Sequence, residues 1–149
     1  MIYSTGSYPK FLNAVDINGD GKPDIIVVNY VSNNVGVLLN TGNGTFSAQT
    51  TYLTGTGPFG LAITDVNGDG KPDIIVVNSG SNNVGVLLNI GSGTFSAQTT
   101  YSTGSNPGCV AAADANGDGK TDIIVANLAS NNTGIIFTGQ MTYSTGSYP

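Results

Sequence analysis

The chain has 149 residues and a formal charge of −5, with charged side chains making up only 9% of it and no histidine at all. An apolar share of 39% favours a folded globular chain over a disordered one. The lack of a basic patch excludes a nucleic-acid partner, and no apolar run approaches the ~18 residues of a membrane span, so no membrane insertion is expected.

The first nine residues, "MIYSTGSYP", have neither the charged region nor the apolar stretch of a secretion signal. They return as "MTYSTGSYP" at 141–149, differing at one position. Both copies read as the end of a fourth strand and the beginning of a first, so residues 1–9 form a terminal strand or clasp copy. From residue 10 onward one pattern repeats at an interval of 49 residues, giving units over 10–58, 59–107 and 108–149 of a single repeat domain, 1–149. "SNNVGVLLN" at 32–40 recurs unchanged at 81–89 and as "SNNTGIIFT" at 130–138; "GTFSAQTTY" occurs at 44–52 and 93–101. Internal repetition of this kind outranks local pattern in deciding architecture.

Within the second unit the sequence predicts four strands. A lies near 60–65, B near 73–78, C near 84–89 and D near 94–102. The segments are short and rich in Val, Ile, Thr and aromatics, with Gly/Asn turns between them. "DIIVVN" is apolar at consecutive positions, as a strand covered on both faces should be. Within "GCVAAAD", Cys109 is expected to be packed in a small-residue strand rather than reactive. The third unit has lost seven residues between C and D, and four D-like segments accompany three each of A, B and C. A four-stranded antiparallel sheet copied in tandem must stack on its neighbours, which is the logic of an all-β propeller blade.

The nine acidic residues lie in three loops and nowhere else: Asp16, Asp20 and Asp24; Asp65, Asp69 and Asp73; Asp114, Asp118 and Asp122. Two carboxylates ~5 Å apart repel by roughly 3 kcal/mol at an effective dielectric near 20, so the clustering implies a cation. Loop positions 1, 3, 5 and 9 carry oxygen side chains, with Asn18, Asn67 and Asn116 at position 3. Lys22, Lys71 and Lys120 at position 7 would offer only a backbone carbonyl. Such an all-oxygen set suits calcium better than magnesium, about one ion per repeat and three per chain.

The pattern "DxNGDGKxDIIV" after the Pro-containing strand "GPFGLAITD" resembles the FG-GAP or VCBS-type repeat of integrin α-chain propellers and of many secreted bacterial and fungal proteins. The resemblance implies a β-propeller, most often of seven blades, with calcium in the loop between a blade's first two strands. By motif position that maps onto the nine aspartates and the three asparagines. "PFG" at 58–60 is the nearest to the family's name motif; the equivalent stretches read "PKF" and "PGC". Three units fall short of the four to eight blades that closed propellers typically need, so a homo-oligomer is expected, with a six-bladed dimer favoured.

With no histidine or glutamate and a single cysteine, no acid, base or nucleophile is evident and no enzyme activity is expected. The expected function is a calcium-stabilised binding or structural module with a protein or glycan ligand. The alternative is a carbohydrate-binding propeller lectin, with Tyr3, Tyr8, Tyr30, Tyr52, Tyr101, Tyr143 and Tyr148 as stacking faces. An extracellular or cell-surface placement is expected from the calcium available there.

Overall fold

The computed structural model describes residues 1–136, and every sheet in it is antiparallel. In chain order the first unit comprises β1 (Pro9–Val15), β2 (Asp24–Asn29), β3 (Asn34–Leu38), β4 (Asn40–Gly42), β5 (Thr45–Phe46) and β6 (Thr50–Leu53). The second repeats it with β7 (Pro58–Thr64), β8 (Asp73–Asn78), β9 (Asn83–Leu87), β10 (Asn89–Gly91), β11 (Thr94–Phe95) and β12 (Thr99–Ser102). The third contributes β13 (Pro107–Ala113), β14 (Asp122–Asn127) and β15 (Asn132–Ile136). The sheets run β1-β2-β3-β6, β7-β8-β9-β12 and β13-β14-β15, with β4-β5 and β10-β11 as separate hairpins.

The predicted first and second strands stand where expected, but D does not run unbroken from 94 to 102. C ends at Leu87, and a short hairpin intervenes before the fourth strand begins at Thr99. Ser96 breaks the run: its Oγ accepts the Leu88 N–H, and its own N–H donates to the Leu88 carbonyl, so this stretch ties to the end of C instead of extending the sheet. Thr50–Leu53 and Thr99–Ser102 then return to pair with β3 and β9. The fourth strand expected of the third unit, at 141–149, lies outside the described residues.

Side chains two apart on a strand share a face, and this alternation divides the core. Ile26, Val28, Val35 and Val37 meet Leu61, Ile74, Val76, Leu87 and Phe95 between the first and second sheets. Ile75, Val84 and Val86 meet Ile123 and Val125 between the second and third. The middle sheet is therefore covered on both faces, and all six residues of β8 are buried, as the unbroken apolar run predicts. Cys109 corrects the sequence reading: it is exposed. It sits on the outer face of the third sheet, where its register partner is Ala126 and no described sheet lies over it.

Candidate functional site

Each acidic loop joins the first two strands of its sheet and turns on two left-handed glycines. Gly19 and Gly21 have φ of 81° and 81°, Gly68 and Gly70 of 80° and 79°, and Gly117 and Gly119 of 79° and 80°. A side chain at those angles would strain against its own backbone, so the "GDG" spelling is what allows the loop to curl. The curl brings backbone N–H groups onto the first aspartate. Asp16 accepts Gly19 N and Asp20 N through Oδ1, and Gly21 N through Oδ2. Asp65 and Asp114 repeat the pattern at distances of 2.7–3.2 Å.

The position-3 amides turn inward on the loop as well. Asn18, Asn67 and Asn116 each accept the N–H of the position-5 aspartate through Oδ1. The position-5 carboxylates face solvent and accept the N–H of the lysine two residues on. Lys22 Nζ lies 3.1 Å from Asp20 Oδ2, and Lys71 Nζ 3.0 Å from Asp69 Oδ2. Hydrogen bonding from these lysines holds the Asp20 and Asp69 carboxyls below the usual carboxylate range. Backbone donation, from Gly119 first, does the same for Asp114.

Position 9 has a different environment. Asp24, Asp73 and Asp122 are fully buried. Asp24 Oδ2 accepts Ile17 N and its Oδ1 accepts Asn40 N; Asp73 makes the same two bonds to Val66 N and Asn89 N. Burial pushes the Asp73 carboxyl up despite these bonds. Asp122 Oδ2 accepts Ala115 N, while the residue equivalent to Asn40 is Thr138, outside the described residues. The structure thus brings positions 1, 3 and 5 of each loop together around its backbone and places position 9 beneath; in the first two loops it ties the loop to the hairpin that follows the sheet's third strand. Among the described residues no three carboxylates gather closely enough to form a ready cluster for a metal ion.

The donor chemistry nevertheless fits a hard cation. Every side-chain acceptor in the loops is oxygen, and a carboxylate has about four lone-pair sites, so accepting two or three N–H bonds leaves Asp16 and Asp20 with acceptor capacity. Sequence reasoning missed Asn40 and Asn89. Asn89 Nδ2 donates to Pro72 O and to Ile17 O of the preceding unit's loop, while Asn40 Nδ2 donates to Pro23 O. The signal was the "LLN" spelling, held at the same interval of 49.

The tyrosines divide between two roles. Tyr52 packs edge-on against Phe95 at 5.3 Å between ring centres, and Tyr101 packs on the core between the second and third sheets. Tyr8 and Tyr30 lie exposed at the end of the sheets opposite the acidic loops, where Lys10 Nζ sits 4.9–5.9 Å from the rings of Tyr8, Tyr30 and Phe59. Tyr143 and Tyr148 lie outside the described residues.

Comparison with known proteins agrees with this architecture. The family described as FG-GAP-like repeat matches residues 16–76 and again 65–125. No curated protein matches the chain. Among solved structures, a chain of the Photorhabdus luminescens Tc holotoxin pore is similar at a TM-score of 0.55 and 18% identity, over 90% of this chain. The match spans only 7% of that much longer chain, and at that identity the likeness is one of fold.

Proposed function

The chain belongs to the FG-GAP-like repeat family, and from that membership we propose that it is a non-catalytic, calcium-stabilised β-propeller module whose sheets act as blades and which assembles by oligomerisation. The β-rich repeat structure already makes it a structural or binding module. Calcium is the finer reading, and one observation carries it: all nine carboxylates of the chain lie in three loops that repeat one backbone arrangement. Positions 1, 3 and 5 of each loop would supply the accessible oxygens: Asp16, Asn18 and Asp20, with Asp65, Asn67, Asp69 and Asp114, Asn116, Asp118 in the other two. The carbonyls of Lys22, Lys71 and Lys120 and the position-9 carboxylates would complete the set. A bound ion would offset the mutual repulsion of the aspartates and brace the corner between a sheet's first two strands.

Calcium competes here with the lysines that already neutralise Asp20 and Asp69. The expected result is that calcium raises the melting temperature and a chelator lowers it, while magnesium at equal concentration does less. At 100 times its dissociation constant each bound ion contributes about 2.7 kcal/mol to the folded state. Calorimetry that detects no calcium binding, with melts unmoved by chelation, would overturn the calcium reading.

A carbohydrate-binding reading retains one supporting observation, the exposed rings of Tyr8 and Tyr30 beside Phe59. It stands second because Tyr52 and Tyr101 are occupied in the core. An extracellular setting follows only from the calcium proposal.

A further inference from the structure

The segment that precedes the first strand makes the contacts that, elsewhere in the chain, follow a fourth strand. Ser7 N donates to Ser32 Oγ, as Thr56 N does to Ser81 Oγ and Ser105 N to Ser130 Oγ, each at 2.7 Å. The carbonyls of Tyr8, Gly57 and Asn106 accept the N–H groups of Tyr30, Ser79 and Leu128 at 3.0–3.1 Å. Gly6, Gly55 and Gly104 lie so close over Asn29, Asn78 and Asn127 that an added Cβ would meet the asparagine side chain at 2.6–2.8 Å. Tyr3 meets Phe46 edge-on at 5.5 Å and 80°, and Tyr52 meets Phe95 at 5.3 Å and 82°.

Tyr52 is a residue of β6, the fourth strand of the first sheet, and it crosses to the hairpin of the second. Tyr3 makes the same crossing to the hairpin of the first sheet, with no described sheet behind it. Residues 1–4 thus hold the place of a fourth strand, with no sheet of their own among the described residues. The third sheet has the matching deficiency: among the described residues β15 pairs only with β14.

The faces agree with the edges. Leu12 is 65% exposed where its counterpart Leu61 is 6%, and Ile135 is 46% exposed where Val86 is 5%. Leu12 and Ala14 lie on the outer face of the first sheet; Ala111, Ile124 and Ile135 lie on the outer face of the third, opposite to the core they share with the second. Both surfaces carry apolar side chains at these positions, and the two stacking interfaces within the chain show how such faces meet.

We propose that residues 1–4 of one copy add as the fourth strand to β15 of a second copy, whose third sheet stacks on the first sheet of the donor. This rests on the proposed assembly and names its joint. The register follows from the two existing pairings. Tyr52 opposes Val35 and Tyr101 opposes Val84; Thr51 opposes Gly36 and Thr100 opposes Gly85. One interval on, Tyr3 opposes Thr133 and Ile2 opposes Gly134 of the other copy. The contact is head-to-tail, and two chains that exchange it mutually close a ring of six sheets.

The test is a cross-link in a chain carrying Ile2→Cys and Gly134→Cys, with Cys109→Ala to remove the native thiol. Opposed residues of an antiparallel pair lie ~4.5–5.5 Å apart at Cα, within disulfide range. Within its own chain a Cβ at Gly134 would lie 3.5 Å from its nearest neighbour; the paired counterparts Gly36 and Gly85 pack closely against Gln49 and Gln98, so dimer formation by the double-cysteine chain is checked alongside the cross-link. Under mild oxidation the expected product is a covalent dimer on a non-reducing gel, alongside a dimer for the unmodified chain in native mass spectrometry. Dimers that form but do not cross-link mean that another segment, such as 141–144, takes the β15 edge; that overturns strand exchange and leaves assembly standing. A chain that is monomeric throughout overturns both. Leu12→Asp is the second variant: it should shift dimer to monomer with the β-sheet circular dichroism spectrum unchanged, and a dimer of unchanged affinity would count against the stacked face.

Discussion

At the scale of single residues, the three aspartates of a loop do different work although they are spelled alike. Asp73 is buried and satisfies two backbone N–H groups, one at the head of the loop and one at Asn89. Asp69 is at the surface with Lys71. Asp73→Asn replaces one acceptor oxygen by a donor aimed at an N–H, and should cost about 1–3 kcal/mol in denaturant unfolding. Asp69→Asn should change unfolding little without calcium and should weaken the response to it. The two groups also respond oppositely to pH. Asp73, whose carboxyl is raised by burial, contributes stability that is full below the unfolded carboxyl value and is lost as pH rises through the folded one. Asp20, Asp69 and Asp114, whose carboxyls are lowered, contribute stability present above the unfolded value and lost as pH falls through the folded one. Unfolding followed between neutral pH and about pH 3 should therefore show a net loss in the wild type. In Asp73→Asn, where the opposing contribution is gone, the loss should be at least as steep.

At the scale of elements, the junction between the third strand and the small hairpin is where one unit grips the loop of the unit before it. Asn89 Nδ2 spans from Pro72 O to Ile17 O, and removing it leaves one buried and one half-buried carbonyl short of a donor. Asn89→Ala should destabilise by about 1–3 kcal/mol, and Asn40→Ala, which in a single chain loses the same bonds except the one to the preceding unit, by about 1 kcal/mol. Equal costs would mean that Asn40 has found the counterpart of Ile17 O, the Ala115 carbonyl of a neighbouring copy. This junction also marks where the sequence stopped being legible. The apolar runs, the glycine turns and the interval of 49 placed the first two strands of each sheet, because those features follow directly from side-chain burial and backbone sterics. The hairpin at Asn89–Phe95 was hidden, because Ser96 ends the strand through its hydrogen bonds and not through a Gly or Pro in its place. The acidic loops were legible as clusters. The inward turn of Asp24 and Asp73 was not, since it depends on an N–H sixteen residues away. Cys109 misled because small apolar neighbours signal a covered strand only when a second sheet is there to cover it.

At the scale of the molecule, the middle sheet alone among the described residues has apolar neighbours on both sides, and no described sheet lies over the outer face of either flanking sheet. Burying an apolar side chain the size of Leu12 gains about 1.5–3 kcal/mol, and under the proposed assembly several such positions on each face would supply the drive for association. Stability that depends on a second copy is linked to concentration by mass action, whereas stability that comes from calcium is linked to the free ion. The two are separable in one set of melts. Raising the protein concentration a hundredfold at constant calcium should raise the melting temperature by several degrees if outer faces are shared between copies; raising calcium at constant protein should raise it independently. A melting temperature indifferent to protein concentration, in a chain that still responds to calcium, would mean that the bare faces are tolerated in solution and that the loops alone account for the added stability.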